Sequence, residues 1–205
     1  MAVLQEMTEA LGQGLRPSDF EFNINEIVGI ADILGVGLPI ETISRNMVLV
    51  KGASQPAEAI NRTELLFKGH KINLSGSRQY DDYSITCYND PKLILKTFFS
   101  AWMDANSSFD VDGNLILRGL TTDLTLVQYD TEHNVIGGWV FYNAFPINVD
   151  AVDNTSEDSD SVQEYGVTFA YSSHRFIPYD GIKDILENMG AFFDSISNVR
   201  PDNLI

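Results

Sequence analysis

The chain has 205 residues, of which 44% are hydrophobic, 11% aromatic and 20% charged, and its formal net charge is −16. This composition is that of a globular protein with a sizeable core, and it excludes collagenous, coiled-coil and low-complexity classes. The acidic balance argues against tight nucleic-acid binding, which needs clustered Lys and Arg. Apolar runs of about 18 residues are absent, so no membrane-spanning anchor is expected.

The charge is unevenly distributed along the chain. Residues 99–174 contain one basic and twelve acidic residues, whereas residues 42–98 contain eight basic and five acidic residues. Solubility explains the acidic excess, and so does a surface that must not adhere to DNA or other polyanions. The N-terminal residues lack the positive start and apolar centre of a secretory signal, and the single Cys87 excludes an internal disulfide. We therefore expect the chain to be made in a reducing cytoplasm.

The first part of the sequence predicts a short helix followed by strands. Helical spacing predicts a helix over residues 3–11, and the alternation over residues 20–25 predicts a half-buried strand. The apolar run at residues 47–50 is typical of a buried strand. A turn or long loop through Gly52 and Pro56 is expected to follow it.

The middle of the sequence predicts a hairpin, a strand and a helix. The hairpin turn is expected near residues 68–70, and alternation predicts a strand over residues 83–87. Asn89 and Asp90 followed by Pro91 form a helix-start pattern, with a side-chain acceptor at the cap and then proline at the first helical position. Apolar residues at helical spacing continue this helix to about residue 104.

The rest of the sequence predicts further strands and a terminal helix. Pro146 is expected to break one strand, and an acidic loop over residues 150–160 to precede the last. The whole pattern predicts a mainly β fold, an antiparallel sandwich or barrel with one internal helix, a short N-terminal helix and a C-terminal helical extension. The further strands are predicted at residues 115–118, 124–129, 139–143 and 165–171, and the helix at 181–197.

The sequence contains none of the common catalytic motifs. Glycine-rich phosphate loops, the nucleophile elbow and the zinc-protease helix motif are all absent. His70, His133 and His174 lie far apart in the sequence, so we expect surface or hydrogen-bonded roles for them. Cys87 has no basic neighbour, which favours a structural thiol over a nucleophile. No enzymatic activity and no cofactor are therefore expected.

Two acidic patterns have both a functional and a structural interpretation. Asp81 and Asp82 could do acid–base work, but consecutive strand residues point to opposite faces. Burial of one of them against Arg78 is the favoured interpretation. Residues 110–114 are similar to the opening of a calcium loop, although their glycine is misplaced and the final Glu is missing. No metal is therefore expected.

Residues 71–90 carry the most specific pattern in the chain. They read KINLSGSRQYDDYSITCYND and closely resemble the central signature of tail tube proteins from contractile-tailed bacteriophages. That signature is K-I-N, a hydrophobic residue, a small residue and Gly, then Arg, an aromatic, two Asp, an aromatic and a Val/Ile–Thr strand. Arg16–Pro17, the loop from Lys51 to Pro56 and the helix bearing Trp102 follow in the family's order. The resemblance covers roughly residues 16–174.

The resemblance implies a structural protein that carries no catalysis. Such proteins form six-membered rings of small β-barrels, which stack into a tube through which double-stranded DNA passes without tight binding. The implied partners are further copies of the chain, the tail sheath and the baseplate, and the implied location is the virion tail. Residues 27–45, the acidic loop and the helix 181–197 depart from the family pattern. They leave room for a tube initiator or the tube of a contractile injection system.

A monomeric β-sandwich binding module, using Trp102 and Trp139, is the alternative from another class. The resemblance divides the chain into a barrel domain over residues 1–174, with an arm over 1–19, and a helical extension over 175–205. It places the loop 51–68 at the contact between rings. The interface candidates are Arg16, Pro17, Lys51, Pro56, Arg62, Phe67, Lys68, Arg78, Asp81 and Asp82. The candidates for an acidic lumen or surface are Asp110, Asp112, Asp123, Asp130, Asp150, Asp153, Glu157, Asp158 and Asp160.

Overall fold

A computed structural model gives the structure of part of the chain. The structure describes residues 16, 19–25, 30, 43, 46–109, 115–116, 119–152 and 162–178. Four predicted segments lie outside these described residues: the helices over 3–11 and 181–197, the calcium-like segment 110–114 and most of the acidic loop.

The described residues form a predominantly β structure with one α-helix. The strands are β1 (Phe20–Ile24), β2 (Val50–Ala53), β3 (Ala59–Phe67), β4 (His70–Gln79), β5 (Tyr83–Tyr88), β6 (Ser108–Phe109), β7 (Leu115–Ile116), β8 (Thr122–Tyr129), β9 (Val135–Val149), β10 (Glu164–Ala170) and β11 (Ser173–Pro178), and the helix is α1 (Ile94–Asn106).

The strands assemble into one large sheet and two small ones. The seven-stranded sheet has the order β1-β8-β9-β10-β5-β2, with β11 paired to β9, while β3 pairs with β4 and β6 with β7. The pairings of β5 with β10 and β2, and of β9 with β10, are antiparallel. This confirms the predicted mainly antiparallel, β-rich fold class.

The chain divides into two compact units. Unit 1 comprises Met1–Glu21, Leu126–Trp139 and Phe176–Ile205, and unit 2 comprises Phe22–Thr125 and Val140–Arg175. In unit 1 the Phe176 ring centroid lies 5.2 Å from that of Trp139. Gly137 permits a close approach there, because a Cβ atom at this position would lie 2.8 Å from the Phe176 ring.

The core of unit 2 is a layer of alternating side chains covered by α1. Ile85 of β5 lies opposite Val167 of β10, which places both side chains on the same buried face. The helix buries an aromatic stripe, and its Phe99 meets Phe169 of β10 edge-on at 5.8 Å. Alternation in the strands and helical spacing in α1 therefore converge on one core, as predicted for both elements.

Helix α1 begins later than predicted. Asp90 does accept hydrogen bonds from backbone N–H groups, those of Lys92 at 3.2 Å and Ile94 at 3.1 Å. However, the Leu93 N–H donates to the Asp90 carbonyl, and Leu93 has a left-handed backbone with φ of 55°. A separate turn thus stands between Asp90 and the first helical residue, Ile94.

The prediction of a buried strand over residues 47–50 is wrong. Met47–Leu49 form a 3₁₀ turn, the strand begins only at Val50, and Val48 is 87% exposed. Ile43 and Met47 are both buried, and their four-residue separation is helical spacing. Gly52, expected in a loop, lies within β2.

The prediction that Pro146 breaks its strand is wrong. Pro146 lies inside β9. It pairs with Phe169 next to a register irregularity, since Thr168 pairs with Asn148. A proline is tolerated at such a bulge because the ladder there does not need its missing N–H. The sequence interpretation also missed β11, which follows β10 after two residues.

Candidate assembly surfaces

The hairpin β3–β4 is the longest exposed element among the described residues. Its turn is Lys68–Gly69, with φ of 49° and 80°, and positive φ at both residues is typical of the turns that close tight hairpins. The predicted turn is confirmed, but the strands are longer than expected. Every residue of both strands is exposed to solvent.

One side of the hairpin is apolar. Leu65 lies opposite Ile72, and the pairs flanking them place Phe67 and Leu74 on the same side. These four side chains, here called the apolar hairpin face, are 44–61% exposed. Four large apolar side chains that stand next to one another and remain about half exposed are typical of a contact surface.

The opposite side of the hairpin is charged. Glu64 lies between Arg62, whose Nη2 is 3.3 Å from a carboxylate oxygen, and Lys71, which is paired with it at closer range. Lys68 at the turn lies over the Phe67 ring, 5.5 Å from its centroid. Residues 59–79 contain four basic residues and one acidic residue, a net +3 on a chain of net −16. The hairpin is therefore attractive to an acidic surface.

The ion pair predicted between Arg78 and Asp81 or Asp82 is not formed. Arg78 Nη1 lies 3.6 Å from Glu58 Oε2, and both Asp residues are exposed and outside any strand. The expectation that one of the two is buried is therefore wrong. Residues 80–82 lie between β4 and β5, which belong to different sheets, so the alternation assumed for a continuous strand does not apply.

The other interface candidates have local partners or lie outside the described residues. Lys51 Nζ lies 2.5 Å from Glu164 Oε1, and this hydrogen bond raises the pKa of Lys51. Pro56 is half-buried between β2 and β3. Arg16 is exposed, and its carbonyl accepts the Asp19 N–H at 3.3 Å. Pro17 is outside the described residues.

Three of the acidic candidates accept hydrogen bonds from nearby backbone or side-chain N–H groups. Asp123 Oδ1 accepts the N–H of Asn143 at 3.0 Å, and Asp150 Oδ1 accepts from Asn148 Nδ2 at 2.7 Å. Asp130 accepts N–H groups of its own turn, and the bond from Asn134 is the main reason that its pKa is lowered. The other six, Asp110, Asp112, Asp153, Glu157, Asp158 and Asp160, lie outside the described residues.

The two end strands of the large sheet are further candidates for subunit contacts. Along the path of the sheet β1 pairs with β8 and β2 pairs with β5, and the described residues supply no second strand for either. An end strand leaves one row of N–H and C=O groups for another partner. Pairing with a strand of a second copy would satisfy them.

The structure supports a small-molecule or glycan site less well than it supports a contact surface on the hairpin. Trp102 is fully buried, and its indole N–H donates to the Leu120 carbonyl at 2.9 Å. It therefore cannot line an aromatic cleft. The described residues contain no cluster of three metal-ligating side chains and no helix suited to crossing a membrane.

A known family matches most of the chain. The family model described as "Phage tail tube protein" matches residues 16–177. The chain belongs to the phage tail tube protein family. This confirms the resemblance found at residues 71–90 and assigns the chain a structural role in a tube. No curated protein matches the chain.

Solved structures with the same fold include components of contractile injection systems. A chain of the PVC sheath–tube complex, an extracellular contractile injection system in its extended state, has a TM-score of 0.56 at 11% identity and covers 84% of this chain and 97% of its own. A chain from the tube-terminating cap of the anti-feeding prophage also has a TM-score of 0.56, at 13% identity, covering 80% and 91%. These similarities show the fold of this tail tube family member.

The sequence candidates include only part of the exposed hairpin. Phe67, Lys68 and Arg62 were candidates, whereas Leu65, Ile72 and Leu74 were not. The available signal was apolar alternation on both sides of the turn at Lys68, in two strands that lack a buried face.

Proposed function

We propose that six copies of this chain close into a ring, and that such rings stack into the tail tube of a phage virion. DNA passes through this tube during ejection into the host. Family membership supports the structural role, and the observation that carries the proposal is the apolar hairpin face. A monomer with that face in water leaves four large side chains at least 44% exposed.

Burial of this face provides the driving force for association. A fully buried Leu, Ile or Phe side chain contributes roughly 1.5–3 kcal/mol relative to its exposed state. Part of that gain is available at each of the four positions when the face packs on a different surface of the next copy. Such a head-to-tail contact forms a ring when the rotation closes, and stacked rings form a tube.

The ends of the large sheet supply a second, directional contact. If β2 of one copy pairs with an end strand of the next, the backbone groups of both edges are satisfied and the sheets become continuous. The same pairing fixes the register between copies, since hydrogen-bond ladders tolerate no half-residue offset. The two contacts together account for a regular assembly without any covalent link.

The charge distribution suits a conduit for DNA. With one basic and twelve acidic residues over 99–174, a lumen built from that region repels phosphates and gives DNA few contacts to break. The basic hairpin then serves contacts between copies, where it meets the acidic surface of a neighbour. Lys68 lies at the exposed turn, and Arg62 and Lys71 share the single carboxylate of Glu64, so positive charge remains for such pairing.

Sheath and baseplate proteins are the proposed partners of the finished tube. A sheath–tube complex is named for one structure of this fold, and a tube-terminating cap for another. The similarity to the cap also favours a second candidate, a ring that begins or ends a tube. A tube subunit elongates without limit as concentration rises, whereas an end ring stops at a single layer or a fixed few.

Negative-stain imaging of the purified chain, together with light scattering after size exclusion, tests the proposal. We expect rings with sixfold end views, and tubes of variable length at high concentration. Rings that never elongate support the second candidate. A uniform particle of 22.8 kDa at every concentration and salt condition would contradict both.

A further inference from the structure

The base of the hairpin is tied to a buried histidine. The His174 side chain on β11 has no exposed surface, and its Nε2 lies 3.2 Å from Glu58 Oε1. Its Nδ1 lies 3.3 Å from the Tyr171 hydroxyl. The Tyr80 ring meets the imidazole edge-on at 5.1 Å, and the Phe141 ring lies 5.9 Å away.

The hydrogen-bond partners define one proton position on the imidazole. An ionised carboxylate only accepts, so the proton must be on Nε2, which donates to Glu58. Nδ1 lies within hydrogen-bond distance of the Tyr171 hydroxyl, which can donate to a bare Nδ1 or accept from a protonated one. Burial raises the pKa of Tyr171, and nearby Asp81 adds to the effect, which keeps this hydroxyl protonated. Both ring nitrogens of His174 are therefore satisfied.

The same carboxylate connects His174 to both strands of the hairpin. Glu58 immediately precedes β3, and its other oxygen lies 3.6 Å from Arg78 Nη1, near the end of β4. Tyr80, which packs on the imidazole, follows β4 directly. Glu58, Arg78, Tyr80 and His174, here called the base clamp, thus hold the two ends of a hairpin whose own residues are all exposed.

We infer that His174 is a positioning residue, which fixes through Glu58 the direction in which the hairpin projects from the rest of unit 2. Within the base clamp, the bond to the buried imidazole has the larger effect, because the Glu58–Arg78 pair is exposed and such pairs contribute little. The consequence for assembly rests on the proposed function: a hairpin that points in one direction presents its apolar face where a second copy can cover it.

Distance measurements on the monomer test the inference independently of assembly. Spin labels are attached at Lys68→Cys on the hairpin turn and Ser100→Cys on the exposed side of α1, while native Cys87 is buried. Double electron–electron resonance is recorded in dilute samples that contain no rings. The parent should give one narrow distance distribution.

Variants of the base clamp should broaden this distribution. We expect broadening in His174→Leu and Glu58→Leu, and recovery of the narrow peak in His174→Gln, whose amide can donate to Glu58. Glu64→Leu is the matched control, because it removes a hairpin carboxylate outside the base clamp and should leave the peak unchanged. If His174→Leu fails to fold, Glu58→Leu provides the same test from an exposed position.

The assembly readout uses the same variants at higher concentration. His174→Leu and Glu58→Leu should raise the critical concentration for ring formation by roughly tenfold, equivalent to ~1.4 kcal/mol per copy. A narrow, parent-like distribution in Glu58→Leu, and in His174→Leu where it folds, would overturn the inference, whatever their assembly. Absence of rings in the parent, with the broadening still present in the variants, would contradict the proposed function alone.

Discussion

Gly76 lies directly against the main chain of Asn61, at the irregularity in the pairing of β3 with β4. A Cβ atom at residue 76 would come within 2.7 Å of the Asn61 carbonyl oxygen. The ladder shifts by one residue here, since Ile60 pairs with Arg78 but Arg62 pairs with Ser75. The glycine therefore permits a bulge that adds twist to the hairpin between its base and its apolar face.

Gly76→Ala should weaken assembly and leave the core intact. The methyl group forces β3 and β4 apart at the bulge and redirects the hairpin, but the hairpin lies outside the core. We expect the strain at the bulge to lower the free energy of unfolding by about 1–3 kcal/mol without loss of the fold, and ring formation to require higher concentrations. Chemical denaturation and light scattering measure the two effects. Gly52→Ala is the control, because its Cβ would lie 3.9 Å from that of Thr86, an ordinary contact.

Leu65 and Leu66 lie on opposite sides of the hairpin, so substitutions at these positions test the two sides separately. Leu65→Asn removes an anchor of the apolar hairpin face and should raise the critical concentration at least several-fold, since one buried Leu contributes roughly 1.5–3 kcal/mol. Leu66→Asn makes the same chemical change on the charged side, where the residue is 81% exposed. Equal effects of both substitutions on the concentration dependence of light scattering would refute the assignment of the faces.

Ile85→Pro should prevent folding. Ile85 is fully buried in β5, which pairs with β2 on one side and β10 on the other, and proline removes a ladder donor between them. We expect insoluble or unfolded protein by circular dichroism. Ile85→Val keeps the backbone intact and should cost only about 0.5–1.5 kcal/mol. A soluble, folded Pro variant would show that β5 is not a paired inner strand.

Alkaline conditions should destabilise the protein in two stages. Burial raises the pKa of Cys87 to about 12, and it also raises the pKa values of Tyr83 and Tyr165. In the unfolded chain the thiol ionises near pH ~8.5 and the phenols near pH ~10. The contribution of each group to the free energy of unfolding is therefore fully present below its pKa in the unfolded chain. It is lost as the pH rises above that value.

Thermal unfolding measured between pH 8 and pH 11 checks this expectation. The melting temperature should fall in both stages for the parent, and Cys87→Ala should lose the lower stage only. The native thiol should also resist alkylation at pH 8 until the chain is unfolded. Rapid alkylation of the folded protein would contradict a buried, protonated thiol.

Asp123 allows local structure and charge to be tested separately. Its carboxylate accepts the N–H of Asn143, whose backbone is left-handed with φ of 54°. Asp123→Ala should cost about 1–2 kcal/mol of unfolding free energy through loss of this bond. Asp123→Asn retains an acceptor and should be close to neutral in stability.

The Asn variant then tests the acidic lumen. If Asp123 faces passing DNA, loss of its charge should slow DNA exit from otherwise intact particles. Ejection kinetics equal to those of the parent would show that this carboxylate serves the fold alone. The Ala variant controls for any effect of lower stability.

Local patterns in the sequence predicted the elements that bury one face. Alternation of Tyr83, Ile85 and Cys87 was sufficient for β5, and the stripe through Phe98 and Trp102 was sufficient for α1. The hairpin turn was also predictable, because Gly69 favours positive φ. In each case the determining interactions lie within the segment or its immediate neighbours.

The remaining features depend on residues that are distant in sequence. Pro146 stays in a strand because the register of β10 provides a bulge opposite it. His174 and Glu58 are 116 residues apart, and no spacing rule connects them. Residues 47–49 read as a strand by composition, yet the burial of Met47 and exposure of Val48 reflect surroundings that a local pattern does not contain.

The lone thiol has a consequence for any particle made from this chain. Cys87 is the chain's one cysteine and is buried in the core, so oxidation cannot link folded copies through a disulfide bond. Such a particle would be held together by many weak, identical noncovalent contacts between its copies. It should come apart on chaotrope addition and rebuild when the chaotrope is removed, with reducing agents making no difference.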